Sequence, residues 1–169
     1  TVDMVDGLVT GGIYGGGSEA DVYGSPTINI GTKPTTLLEN VVDDSSTEDV
    51  DEKRPNVQGV HIESNIYGGG LSASVYGSTN INIGTKNYDT TGYEGVMITG
   101  NVFGGGQGES TKVTGSVAVK IGERTETTTE RGTTVTYTGN SIITGDVYGG
   151  SAKSMVFIPY LVTVVYLLV

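Results

Sequence analysis

Ile66-Tyr67-Gly68-Gly69-Gly70-Leu71-Ser72-Ala73-Ser74-Val75-Tyr76-Gly77-Ser78-Thr79-Asn80-Ile81-Asn82-Ile83-Gly84 is the stretch whose reading decides the fold. An aromatic residue runs into three glycines, and polar and apolar side chains then alternate up to a closing glycine. The same order recurs on either side. Ile13-Tyr14-Gly15-Gly16-Gly17 leads through Val22-Tyr23-Gly24 to Ile28-Asn29-Ile30-Gly31, and Val102-Phe103-Gly104-Gly105-Gly106 leads through Val113-Thr114-Gly115 to Val119-Lys120-Ile121-Gly122. A fourth copy opens at Val147-Tyr148-Gly149-Gly150. Such self-similarity marks an array in which each copy buries its apolar face against the next.

Aligned without gaps from Val22, Val75 and Val113, the copies place Ile28, Ile81 and Val119 in one column and Ile30, Ile83 and Ile121 in another. Pro26, Thr79 and Val117 share the column two positions earlier. A period of two means strand, with these columns inward and Thr27, Asn80, Ala118 and Asn29, Asn82, Lys120 outward. Ahead of each glycine run, one face reads Val9, Gly11, Ile13; Ile62, Ser64, Ile66; Ile98, Gly100, Val102; Ile143, Gly145, Val147. The opposite face carries Tyr14, Tyr67, Phe103 and Tyr148 at equal height, so the aromatics are predicted to form an outward ladder.

Three short strands per copy, separated by the glycine corner and by Gly24, Gly77 or Gly115, describe one coil of an all-β, parallel β-solenoid (β-helix). Inward apolar side chains stabilise it by roughly 1.5 to 3 kcal/mol each, but only when a neighbouring coil covers them. The coils are expected near 8–31, 60–84, 96–122 and 142–165, about four in a single domain. Insertions at 33–58, 87–95 and 123–140 account for the unequal spacing of the aromatics, since a corner loop leaves the stack undisturbed. The first is acidic. Glu39, Asp43, Asp44, Glu48, Asp49, Asp51 and Glu52 lie within it, with too few large apolar residues to fold alone. The third reads as a Thr-rich hairpin turning at Glu130-Arg131-Gly132. Beyond Met155 both faces become apolar. In coil register Val156, Val162 and Val164 point inward while Phe157, Leu161 and Val165 point outward, a predicted sticky surface for self-association or for neighbouring coils. The run is interrupted by Pro159 and is shorter than the roughly 20 residues a membrane helix needs.

The corner (Val/Ile)-(Tyr/Phe)-Gly-Gly-Gly followed by Val-x-Gly-x-x-x-(Ile/Val)-x-Ile-Gly resembles the glycine-rich, VYGGG-type repeats of bacterial adhesin-like cell-surface proteins, which are built as right-handed β-solenoids. The resemblance covers 9–31, 62–84, 98–122 and, more weakly, 143–151. It implies an extracellular structural stalk or adhesive surface, with a host or matrix glycan or protein as partner. Right-handedness rests on this resemblance alone.

Composition excludes several alternatives. A formal net charge of -10 opposes nucleic-acid binding, because the phosphate attraction has the wrong sign. The lack of cysteine removes disulfides and thiolate metal sites but leaves the compartment open. The chain starts at Thr1 with no basic, then apolar, leader, and is read as a mature piece or an excised segment. His61 is the only histidine, so no histidine cluster exists to hold a metal, and it reads as a solvated residue at a strand start. The glycine corners lack the helix and the Lys-Ser/Thr of a phosphate cradle. Gly15 to Asp21 superficially matches a calcium repeat, but Leu71 and Ser74 stand where the ligands should recur in the next copy.

Binding candidates lie on the aromatic face: Tyr14, Tyr67, Phe103 and Tyr148, flanked by Glu63, Asn65, Asn101 and Asp146. Such a face offers rings and hydrogen-bonding groups to a sugar chain, whereas rings stacked at coil spacing stabilise the sheet instead. The second role is the expected one. Glu63 and Asp146 are the carboxylates a polysaccharide-cleaving β-helix would use, but their expected separation of roughly 10 Å is slightly too long for an inverting pair. The chain is therefore expected to be a non-enzymatic structural or adhesive module without cofactor. The alternative is a carbohydrate-binding or polysaccharide-cleaving β-helix using the aromatic ladder.

Overall fold

The computed structural model describes residues 1–31, 59–84, 95–139 and 141–152, together with the backbone alone of 163–165, 124, 137 and 138. Phe157 and Leu161, the insertions at 33–58 and 87–94, and the side chain of Val165 lie outside the described residues. In chain order the strands are β1 (Val2–Met4), β2 (Gly7–Val9), β3 (Ile13–Tyr14), β4 (Thr27–Ile30), β5 (Val60–Ile62), β6 (Ile66–Tyr67), β7 (Thr79–Ile83) and β8 (Val96–Ile98). They continue as β9 (Val102–Phe103), β10 (Val117–Ile121), β11 (Glu123–Thr129), β12 (Gly132–Thr138), β13 (Ser141–Ile143), β14 (Val147–Tyr148) and β15 (Thr163–Val165).

Three parallel sheets run side by side, in the orders β1-β4-β7-β10-β15, β2-β5-β8-β13 and β3-β6-β9-β14. The chain visits them in turn, so each strand pairs with its counterpart from the neighbouring copy. This is a parallel β-solenoid. Ile28 lies opposite Ile81 and Ile81 opposite Val119, while Ile30, Ile83 and Ile121 form the second column. These columns, with Val60, Val96, Ile62, Ile98, Ile66 and Val102 from the other two sheets, form one dry core. Backbone pairing extends the Ile81 column to Val2 at one end and Val164 at the other.

The inward Thr79 is fully buried between neighbours that differ in chemistry, and its hydroxyl donates to Gly104 O at 2.7 Å. That bond removes the cost of burying an unpaired polar group. Glycine is required at the corner because coils touch there through backbone: a Cβ on Gly68 would lie 2.3 Å from Gly104 O. Gly31, Gly84 and Gly122 follow the strands of the first sheet with φ of 61°, 55° and 72°, left-handed values that glycine adopts without strain.

Two details differ from the periodicity. The run expected as one strand ahead of each glycine corner is divided between the second and third sheets, as in β5 and β6. Its bend falls at the Ser64, Gly100 and Gly145 column, just before Asn65, Asn101 and Asp146. There the Asn101 N–H donates to Asn65 Oδ1 at 2.7 Å and the Asp146 N–H to Asn101 Oδ1 at 2.8 Å. A side-chain acceptor thus satisfies the amide that the corner turns away from its sheet. The strand expected at Val22, Val75 and Val113 is reduced to single parallel bridges, over a small second core of Val75, Val113 and Val117.

Residues 123–138 form an antiparallel hairpin, with Thr125 opposite Thr136, Thr127 opposite Thr134 and Thr129 opposite Gly132. Among the described residues no helix is long and apolar enough to cross a membrane.

Candidate functional site

The parallel register carries Tyr14, Tyr67, Phe103 and Tyr148 directly over one another on the third sheet. Their rings stack face to face, with centroids 4.9, 5.1 and 4.9 Å apart and planes within 6°. The geometry follows from strand spacing, since parallel neighbours stand about 4.8 Å apart, the distance at which flat rings meet. It also decides what the ladder can present. The faces of Tyr67 and Phe103 are occupied by their neighbours, and these rings are only 4% and 9% exposed. Tyr148 is 45% exposed, so it is the ladder ring most open to a ligand.

The flanking polar residues are tied into the stack as well. Asn65 Nδ2 donates to the Tyr67 hydroxyl at 3.1 Å, and Asn65 Oδ1 serves the corner amide of Asn101. The Tyr148 hydroxyl donates to Asp146 Oδ2 at 3.0 Å. This hydrogen bond, then the carboxylate's charge and then burial, hold the Tyr148 phenol above its usual pKa. Tyr14 is also raised, by burial first and by Tyr67 second. Its hydroxyl donates to Gln107 Oε1, a contact between distant copies that spacing alone did not suggest. Glu63 is exposed, and its backbone N–H donates to Val9 O at 2.9 Å.

Further columns repeat this economy of acceptors. Asn82 Nδ2 donates to Asn29 Oδ1 at 2.8 Å, and Asn29 Nδ2 to Asp3 Oδ1 at 2.6 Å. Ser25 Oγ accepts the Ser78 N–H, and Ser78 Oγ accepts the Ser116 N–H. Asp21, read as a superficial calcium ligand, accepts the Ser74 N–H at 2.8 Å. Among the described residues no group of three or more His, Asp or Glu side chains lies together to hold a metal.

Sequence reasoning passed over two surface features. Tyr23 and Tyr76 stack at 5.0 Å with planes 10° apart, and they are 83% and 46% exposed. The signal was present in Val22-Tyr23-Gly24 and Val75-Tyr76-Gly77, but Thr114 ends the column in the third copy. The second feature is a groove of about 470 Å³ beside the second sheet, lined by the register column Leu8, His61, Met97 and Ile142. His61 is therefore half-buried within β5 instead of solvated at a strand start, and its Nε2 is shielded without a hydrogen-bond partner.

Comparison with protein-family models, with curated proteins and with solved structures finds no match to this chain.

Proposed function

We propose that the chain is a non-enzymatic structural or adhesive module of a bacterial surface protein, working outside the cell as part of a β-solenoid stalk. The observation that carries this reading is the direction in which its polar groups point. Asn65, Asn101, Asp21, Ser25, Ser78 and Asn29 each accept a hydrogen bond from the next copy. The inner rings of the aromatic ladder face only one another. Most of the outward polar side chains on the sheets are thus engaged in holding coil to coil, which favours length and stiffness over chemistry. Handedness, the surface location and a host or matrix glycan or protein as partner belong to this proposal and derive from the repeat resemblance.

The test has two arms. Full-length chain is incubated with a panel of neutral and acidic polysaccharides while new reducing ends are measured, and beads coated with it are scored for retention on glycan and matrix-protein arrays. Retention without cleavage supports the proposal. Cleavage that is lost in the Glu63→Gln, Asp146→Asn double variant overturns it.

The open rings of Tyr148, Tyr23 and Tyr76 favour a second reading, in which the solenoid binds a carbohydrate through its exposed aromatics. Under that reading Tyr148→Ala or Tyr23→Ala abolishes retention on the glycan array, whereas Phe103→Leu preserves it.

A further inference from the structure

We propose that the hairpin is a self-association edge, on which β12 of a second copy of this chain adds antiparallel to β12 of the first. The inference starts from the backbone. Glu130-Arg131 is a two-residue connection, and the flanking pair Thr129 and Gly132 closes the ladder as a hydrogen-bonded pair. Hydrogen-bonded and non-hydrogen-bonded pairs then alternate, so N–H and C=O of Gly132, Thr134 and Thr136 face β11. Those of Thr133, Val135 and Tyr137 face the other way. Among the described strands β12 pairs with β11 alone, so that outer row has no strand against it.

The row is also unguarded. Natural sheet edges are protected by lysine, proline or a bulge, and an uncharged run of six or seven strand-forming residues is the signature of pairing between chains. Gly132 to Thr138 reads Gly-Thr-Thr-Val-Thr-Tyr-Thr, seven residues with no charge and no proline. By contrast, β11 carries Glu123, Arg124 and Glu126. Thr133 to Thr136 are exposed, including Val135 at 38%. A two-stranded ribbon is marginal in water, and two more strands would relieve that.

The occupant follows from self-complementarity. A twofold axis through Val135 sets Val135 against Val135 and Thr133 against Tyr137 of the second copy as hydrogen-bonded pairs, which uses every outward group. Thr134 then meets Thr136 of the second copy, prolonging the row that Thr125–Thr136 and Thr127–Thr134 begin within one hairpin. Cross-strand threonine pairs are stabilising, and the contact closes as an isologous dimer. Local charge permits it: residues 123–138 hold three acidic side chains (Glu123, Glu126, Glu130) against two basic ones (Arg124, Arg131).

The test uses full-length protein in sedimentation velocity over a concentration series. The native chain is expected to dimerise, and Val135→Pro, which deletes an outward N–H and no bond to β11, to weaken the dimer by about tenfold or more. Because proline also strains a strand, Val135→Cys supplies a second readout in a chain without other cysteines. Its two Cα atoms would lie about 5.5 Å apart across the axis, within disulfide range. In Thr127→Cys they would lie roughly 16 Å apart, three strand spacings across and two residues along. Rapid disulfide dimers from Val135→Cys but not from Thr127→Cys support the proposal. A native chain that stays monomeric to its highest soluble concentration overturns it, as do equal crosslinking rates for the two cysteine variants.

Discussion

Replacing Phe103 with alanine separates a ring that holds coils together from one held out for a ligand. Phe103 is 9% exposed and lies between Tyr67 at 5.1 Å and Tyr148 at 4.9 Å. A ring of this kind buries on the order of 200 Å², which at about 25 cal/mol per Å² corresponds to roughly 4 to 5 kcal/mol. The remaining methyl returns about 1 kcal/mol, and two lost stacking contacts remove about 0.5 to 1.5 kcal/mol each. These terms sum to about 4 to 7 kcal/mol, an upper bound because the unfolded chain already buries part of the ring, and Phe103→Ala is expected to destabilise the chain by about 3 to 5 kcal/mol, the range for emptying a buried aromatic site. Tyr148 has a stacked neighbour on one side only and is 45% exposed, so Tyr148→Ala should cost about 1 to 2 kcal/mol. Urea unfolding followed by far-ultraviolet circular dichroism measures both. At about 2 to 4 °C per kcal/mol for a chain of this size, Phe103→Ala should also lower Tm by about 6 to 20 °C. A loss below about 1 kcal/mol for Phe103→Ala, or a larger loss for Tyr148→Ala, would refute the packing argument.

Three further outcomes follow from the same geometry. Gly69→Ala places a Cβ 2.7 Å from the Gly106 backbone nitrogen, so it should force copies apart and lower the urea midpoint sharply. Gly24→Ala meets nothing within 4 Å and should be neutral or stabilising by up to about 1 kcal/mol; the reverse ranking in parallel urea melts would count against the corner geometry. Asn101→Ala removes the acceptor of the exposed Asp146 N–H and should cost about 0.5 to 1.5 kcal/mol, while Asn101→Asp, which keeps an acceptor, should recover most of it. Finally, Tyr148 and Tyr14 are acids whose folded pKa values are raised, so the folded chain holds their protons more tightly than the unfolded chain does. Their stabilising effect is complete below the ordinary tyrosine pKa of about 10 and is lost as pH rises through the folded values. Asp146→Asn should bring the Tyr148 titration, followed by NMR of labelled tyrosine, down toward the ordinary value; an unchanged titration would rule out the carboxylate as cause.

How much of this was legible in the chain differs residue by residue. The column of Ile28, Ile81 and Val119 could be read directly, because alternation in a strand reports which face is dry without reference to the rest of the fold. The bend at Ser64 and Gly100 was harder to read for a related reason. The in-and-out parity continues unbroken from Ile62 through Ile66 although the backbone passes from one sheet to the next, so alternation alone does not show the corner; its mark is the small inward column of Ser64, Gly100 and Gly145, where a Cβ on Gly100 would lie 2.2 Å from Ser64 O. His61 is a third case. Whether a lone outward histidine meets solvent depends on the Leu8 and Met97 that the two adjoining copies place on either side of it.

The sequence by itself determined the repeat, the parallel stacking and the interior columns, since these need only a short-range period and its recurrence. Tertiary structure alone decided what the outward groups do. Whether the rings stand face to face or lie open, and whether Asn65, Asn101 and Asp21 meet solvent or a neighbouring amide, is set by the spacing between coils. That spacing is a distance between residues far apart in the chain, and local alternation carries no record of it.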